Sequence, residues 1–311
     1  MNEKILSTCV YHTNRASENF AAAIEVLGAK KYQKGDAEIN FLYFNTYQGT
    51  TPPAGVRIQY SLMDRKETVP LDNKSLLAKR LIKYNLCDPM VYFDPHDVPL
   101  GDRLWYLKDP LATAGKAMHV LTRHDIDKFF QTGNIIQEAI TDVCLINRRK
   151  FTLRIYVLVY YNKIFLYPDG IIVTHGVDYD PNSTDYSMQV DHRGYRDPNS
   201  SVQMRPFSTY HKYLTFMIEI SKSAPNIFQL FADTLSDSEY RYCLFGVDYL
   251  CKNNGHVALI EVNDRPNLFH TKEINQKINI EMIRDLVVLV TNNILHNSIE
   301  YPQRFMEIGS L

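Results

Sequence analysis

Two acids and an amide carry the strongest chemical signal in this chain. The stretch Phe245-Gly-Val-Asp-Tyr-Leu-Cys-Lys-Asn-Asn-Gly-His-Val-Ala-Leu-Ile-Glu-Val-Asn263 reads as a β-hairpin turning at Asn254-Gly255, the pair that a two-residue type I′ turn favours because both central residues take positive φ. Such a turn pairs Asn253 with His256. Counting outward then sets Asp248 opposite Glu261, and alternation puts Asn263 on the same face, across from Gly246. Opposed carboxylates repel unless a cation or proton lies between them, and hard oxygen donors beside an amide suit Mg²⁺. A solvated ribbon is the competing reading, but Leu244, Phe245, Val247, Leu250, Leu259, Ile260 and Val262 make the hairpin too apolar for that.

A metal site for a nucleotide needs positive charge opposite it. Lys74, Lys108, Lys116, Lys150 and Arg154 are the candidates. Lys108 ends the apolar run Trp105-Tyr-Leu, so it must either snorkel to water or meet an anion. Lys150, Thr152 and Arg154 alternate along one face of a strong strand, so two cations point the same way. The loop after Lys108 holds only Gly115 and matches neither GxxxxGK[ST] nor GxGxxG. His175, His192 and His211 have no compact zinc-ligand spacing. Cys251 lacks an activating base. Arg193, Arg196 and Arg205 could bind a carboxylate or stand as solvated loop charges.

The frame that must hold these residues is 311 residues long, 45% apolar and 22% charged, enough for a sizeable core in two or three subdomains. A net charge of −1 gives no global attraction to nucleic acid or to an anionic membrane. Five cysteines without a CxxC pair imply a reducing compartment. No run reaches the ~18 apolar residues of a membrane span, and Met1-Asn-Glu-Lys lacks the order of a signal peptide, so cytoplasmic residence is expected.

Short apolar runs (Leu6 to Val10, Ile39 to Tyr43, Val56 to Tyr60) and a helix from Ser17 to Leu27, closed by Gly28, suggest a small α/β domain over residues 1–70. Leu77, Leu81 and Tyr84 sit at helical spacing behind a cap at Asp72 or Asn73, with Lys74 in the first turn. Strands are expected at Trp105 to Lys108, Ile135 to Ile140 and Phe151 to Tyr160, with a helix from Asp125 to near Gly133. Residues 174–213 read as a long, partly mobile connection. Helices from Ser208 to about Lys222 and from Glu281 to Leu295 flank the hairpin.

The series Leu71-Asp-Asn-Lys-Ser-Leu-Leu-Ala-Lys79, Trp105-Tyr-Leu-Lys108, Ile136-Gln-Glu138, Arg149-Lys-Phe-Thr-Leu-Arg154, Phe245-Gly-Val-Asp248 and Leu259-Ile-Glu-Val-Asn-Asp-Arg-Pro266 resembles the tubulin–tyrosine ligase-like family of ATP-grasp ligases over roughly residues 70–295. The resemblance implies an α+β ATP-grasp fold preceded by a small N-terminal α/β domain. The central subdomain would span 71–136 and the C-terminal subdomain, with the metal-binding hairpin, 137–311; ATP lies between them. It further implies Mg²⁺ on Asp248, Glu261 and Asn263; phosphates on Lys108, Lys150 and Lys74; adenine against the backbone of Gln137, Glu138 and Ala139; and Arg154 at the γ-phosphate or the acyl intermediate. The implied activity joins an amino acid donor to a peptide or protein acceptor. Departures lie at the acceptor end. Thr152 stands where the family usually has aspartate, Leu166-Tyr167 replaces an expected arginine, and no His-Leu-Thr-Asn motif appears between Thr174 and Tyr213. A degenerate nucleotide- or partner-binding module and a kinase are the competing functions.

Overall fold

Two long strands are apolar at almost every position, which is the pattern of strands covered on both faces. They are the centre of the molecule, seen in a computed structural model that describes residues 6–45, 51–112, 118–190, 193–197, 199–292 and 303–311. In chain order the elements are β1 (Val10–Thr13), α1 (Ser17–Ile24), β2 (Lys30–Lys31), β3 (Glu38–Tyr43), β4 (Arg57–Leu62), α2 (Arg65–Asp72), α3 (Lys74–Lys83), β5 (Val91–Tyr92), β6 (Leu104–Lys108), β7 (Met118–Thr122), α4 (Ile126–Phe129) and β8 (Ile135–Glu138). They continue with β9 (Leu145–Ile146), β10 (Arg149–Tyr160), β11 (Lys163–Thr174), α5 (Tyr186–Gln189), β12 (Gln203–Pro206), α6 (Tyr213–Gln229), β13 (Arg241–Cys251), β14 (Val257–Asn263), α7 (Lys272–Ile274), α8 (Ile280–Thr291) and β15 (Met306–Ser310). The class is mixed α+β.

The large sheet runs β12-β11-β10-β13-β4-β3-β1-β2, with β14 also on β13, β15 on β11 and β9 on β10. Its N-terminal strands do not form a sheet of their own. β4 joins β13 in parallel at Arg241↔Ser61 and Tyr242↔Leu62, so β1 to β4 extend the same sheet. One face packs Leu153, Ile155, Val157, Phe245 and Val247 against Leu77 and Leu81 of α3 and Phe216, Ile220 and Phe228 of α6. The opposite face packs Tyr156, Leu158, Tyr160, Tyr242 and Leu244 against Phe20 and Ile24 of α1 and Met282 and Leu286 of α8. Burial on this scale, at roughly 1.5–3 kcal/mol per large apolar side chain, explains why β10 and β13 tolerate so few polar residues.

A second sheet, β5-β8-β6-β7, is antiparallel. Trp105, Leu107, Leu121 and Ile136 fill one of its faces with Ile126 of α4, so alternation along β6 turns Tyr106 and Lys108 to the other face, toward the large sheet.

Several expected elements shift. Asn73 caps α3 by accepting from the Ser75 and Leu76 N–H groups at 3.0 and 3.1 Å, but Tyr84 is exposed. The unexpected α2 forms in spite of Pro70 because Asp64 and Glu67 make a reciprocal capping box. The helix expected from Asp125 is short, ending at Phe129. The 174–213 connection contains β12, paired from Ile171↔Pro206 to Thr174↔Gln203, and the short α5. The helix expected at Ser208 starts at Tyr213, after a turn that buries Phe207, and runs to Gln229. Gly115, Lys116, His192 and Ile294 lie outside the described residues. Among the described residues no helix is long and apolar enough to cross a membrane.

Candidate functional site

The hairpin brings Asp248 and Glu261 into register, by a route the sequence does not display. Only Gly255 takes positive φ (90°) at the turn, and the loop has three residues, with Lys252 N–H donating to the His256 carbonyl at 2.9 Å and Gly255 N–H to the Lys252 carbonyl at 3.1 Å. This corrects the expected Asn253–His256 pairing by one position. A three-residue loop alone would face Asp248 with Ile260. A β-bulge at Ile260 offsets the slip, since Tyr249 pairs with Leu259 but Asp248 with Glu261 and Gly246 with Asn263. Bulges commonly re-aim side chains beside functional sites, and here one makes the two acids opposite neighbours.

Asp248 is buried and gripped by its cross-strand partner Arg154, whose Nε and Nη2 donate to Oδ1 and Oδ2 at 2.7 and 2.6 Å. Glu261 accepts from Asn263 Nδ2 at 3.3 Å and lies 3.3 Å from Lys74 Nζ. Burial works to raise the Glu261 carboxyl, but Lys74, Arg154 and Lys108 outweigh it and hold the group at about 2. Burial pushes the Asp248 carboxyl up, against the pull of Arg154, and the Glu261 charge pushes the same way. Two carboxylates and an amide thus converge, with Arg154 on Asp248 and Lys74 on Glu261 holding both acids in their charged forms. Among the described residues no three His, Cys, Asp or Glu side chains form a metal cluster, but a Mg²⁺ bound with phosphates needs only one or two carboxylates from the protein. The set fits that requirement, with Asn263 lining the cavity and donating its Nδ2 to Glu261.

Across from the hairpin stand two buried lysines whose hydrogen bonds go to neutral oxygens and whose ammonium groups lie over tyrosine rings, both over Tyr106 and Lys150 also over Tyr179. Lys108 donates to Gln137 Oε1, and Lys150 to the Tyr106 hydroxyl at 2.9 Å and the Gln189 carbonyl at 3.1 Å. Burial lowers Lys108 to about 8 and, with help from the Lys108 charge, Lys150 to about 7. Neither is paired with a carboxylate among the described residues. Lys74, by contrast, binds Glu261 and donates to the Ala112 carbonyl at 2.9 Å, tying the loop after β6 to the hairpin.

Lys108, Lys150, Arg154, Asp248, Glu261 and Asn263, but not Lys74, line one cavity of about 490 Å³, within the range of small-molecule sites. Its walls carry six cations (Arg15, Lys108, Lys150, Arg154, Arg193 and Arg265) against three acids (Glu138, Asp248 and Glu261). Apolar Pro89, Met118, Ile140, Leu250 and Ile260 line it as well. In the stretch expected to meet a purine, the Glu138 and Ala139 N–H groups already donate to the Met90 and Leu104 carbonyls at 2.9 and 3.0 Å. Gln137 and Glu138 line the cavity; Ala139 packs instead with Leu104, Tyr106 and Val120.

The chemistry-bearing residues not singled out from sequence include Tyr106, Gln189, Arg15, Tyr195, Arg265, Asn267 and His270, all on the cavity wall. Tyr106 was legible, two residues before Lys108 on the same strand face. Gln189 gave no signal because Tyr106 and Lys150, which it meets, come from distant segments; His270 gave none although Asn275 and Asn279 are near it in the chain. Of the departures, Thr152 lines the cavity, whereas Tyr167 packs on Phe305 and under Arg304, away from it.

Gly246 keeps the two walls in place. A Cβ there would fall 2.8 Å from Pro266 Cβ and 3.5 Å from Arg154 Cδ and Nε. Gly246→Ala is expected to destabilise the fold by about 1–3 kcal/mol by forcing Pro266 away, while Arg154 stays in ordinary contact. A thermal melt unchanged from the parent would contradict this.

A family model described as the tubulin-tyrosine ligase family matches residues 36–193 and 199–298. The chain belongs to this family. The tubulin-tyrosine ligase match runs from just before β3 to beyond α8, so it contains every cavity residue named above except Arg15 and Tyr195. No individual curated protein matches the chain.

Proposed function

We propose that this protein is an ATP- and Mg²⁺-dependent carboxylate–amine ligase of ATP-grasp type, adding an amino acid to a peptide or protein acceptor through an acylphosphate. The observation that carries the reading is the pair of buried lysines, Lys108 and Lys150, facing the Asp248–Glu261–Asn263 hairpin across one cationic cavity. With Lys108 and Lys150 in their ammonium forms, the three excess positive charges on the wall suit a magnesium–triphosphate, which carries about two negative charges, together with one substrate carboxylate. In this reading the four-stranded sheet and the β10–β14 region are the two subdomains that enclose ATP, with the purine beside Gln137, Glu138 and Ile140.

Mg²⁺, held by Asp248, Glu261 and Asn263, would neutralise phosphate oxygens and so favour phosphoryl transfer. Lys108 and Lys150 bind the phosphates, and Lys74 fixes Glu261 and the neighbouring loop. A substrate carboxylate oxygen attacks the γ-phosphorus as the bond to ADP breaks; the amine then attacks the acyl carbon, losing a proton as phosphate leaves. Arg154 stabilises the charge that develops between these partners. Incubation with ATP, Mg²⁺, an amino-acid mixture and candidate peptides should give a product heavier by one or more amino-acid residues, with ADP released. A stable phosphorylated peptide instead would identify a kinase. The second reading, a degenerate nucleotide-binding module, is favoured by Thr152 at a cavity position where the family usually has aspartate, and it requires nucleotide binding with no ADP formed for any acceptor.

Phosphates beside Lys108 and Lys150 restore their ammonium forms. ATP binding at pH 8.5 is therefore expected to take up about one to two protons, because free Lys108 titrates near 8 and free Lys150 near 7. Calorimetry in buffers of different ionisation enthalpy measures this, and equal heats in all buffers would refute it.

A further inference from the structure

One hydrogen-bond chain fixes the protonation of a histidine at the far end of the cavity. It starts from a group with no ambiguity, the His270 backbone N–H, which donates to Asn275 Oδ1 at 2.9 Å. Asn275 therefore presents its oxygen on that side. Asn279 must meet that same oxygen with its amide nitrogen, and does so at 2.9 Å. The same nitrogen lies 2.9 Å from His270 Nδ1, so Nδ1 faces a donor and can only accept. The opposite amide orientation would set two oxygens against each other, which explains why Asn279 Oδ1 is left buried without a partner. Asn275 and Asn279 share a face because they stand four residues apart, at the two ends of a π-helical turn, Asn275–Asn279, a geometry often found at functional sites. The ring proton of neutral His270 must then sit on Nε2, the edge left to the cavity that His270 lines.

Resting on the ligase reading above, we propose that His270 is a permanently neutral hydrogen-bond donor whose Nε2–H binds the substrate's carboxyl oxygen at the Arg154 end of the cavity. The charged and titratable groups facing the ring are Arg154 on β10 and Arg196 and Tyr195 in the segment before β12. Burial and both arginines lower the ring to about 3, so it stays uncharged at neutral pH. Arg196 also donates to the Phe269 carbonyl, which anchors the adjoining loop. A neutral donor can bind a carboxylate and the acyl oxygen it becomes without exchanging a proton during the reaction.

The probe is acetyl phosphate with Mg-ADP, followed as ATP formation. The phosphorus–oxygen bond to the acetyl group breaks, a new one forms to the ADP β-phosphate oxygen, and acetate leaves on the His270 side. His270→Phe is expected to lose about 100-fold in rate, and His270→Gln, which keeps a donor near Nε2, to recover most of that loss. Asn279→Asp puts an acceptor opposite Nδ1, so its neutral ring carries the proton there and turns a bare Nε2 to the substrate. Its rate should fall as pH rises through the ring's new pKa, whereas the parent shows no such step. Mg-ADP binding, measured separately by calorimetry, should be equal in all four proteins. A His270→Phe rate within threefold of the parent, or a flat Asn279→Asp profile, overturns the inference and leaves the ligase reading intact. Failure of the parent to bind Mg-ADP or to form ATP overturns that reading, and the inference falls with it.

Discussion

Replacing Glu261 with Gln is expected to cut ATP turnover by about 100- to 1,000-fold while leaving the protein folded. The isosteric amide keeps the bulged strand and can still meet Asn263, but it removes the charge that Asp248 cannot supply alone, since Arg154 already covers both Asp248 oxygens. The stability cost should be small, about 1–2 kcal/mol at neutral pH, from loss of the contact with Lys74 at 3.3 Å. It should also depend on pH in a defined direction. The folded-state value of Glu261 lies near 2, below its ordinary 4.5, so its contribution is full above about 4.5 and disappears as pH falls toward 2. Parent and variant melts should therefore converge in acid. ADP release equal to the parent's would remove Glu261 from the proposed metal set.

Lys150→Met is expected to act in opposite directions on stability and on binding. In the ligand-free protein Lys150 is a buried cation hydrogen-bonded to a hydroxyl and a carbonyl and set over the Tyr106 and Tyr179 rings, and without a carboxylate partner such a group costs more desolvation than these contacts return. Methionine of similar length should raise stability by about 1–3 kcal/mol at pH 7 and weaken ATP binding about 100-fold. Its folded-state value is lowered to about 7 from 10.5. The unfolded chain then holds more protons between those values, so parent stability should climb as pH rises from about 7 to 10.5, and the variant should lose Lys150's share of that climb. Denaturant midpoints at pH 7 and pH 9.5 test this. A variant less stable than the parent at pH 7 would show that Lys150 is compensated by something other than a ligand.

The outcome at the hairpin shows what the sequence could and could not convey. Alternation and an Asn-Gly turn correctly set Asp248 against Glu261, yet two one-residue departures, a longer loop and the Ile260 bulge, cancelled to give that result. Local pattern reads face and spacing well; it does not read where a strand absorbs an extra residue. Lys108 and Lys150 were legible for the same reason, as cations placed by alternation in apolar strands. The pairing of β4 with β13 was not, because parallel contacts between distant segments leave no local trace. Polar composition hid β12, since its residues are mostly partly exposed at a sheet edge. His270 with Asn275 and Asn279 escaped notice because polar residues in a loop and in a helix's first turns add nothing to the apolar periodicity from which elements are read.

The central claim is that the Asp248–Glu261–Asn263 hairpin grips a metal beneath a triphosphate bound by Lys108 and Lys150. Calorimetric titration of the full chain with ATP, once in Mg²⁺ and once in EDTA, tests it most directly. Tight binding in Mg²⁺ that weakens at least tenfold in EDTA, and a Glu261→Gln variant that binds equally in both, is the expected result. Equal affinity with and without the metal in the parent protein would contradict the account.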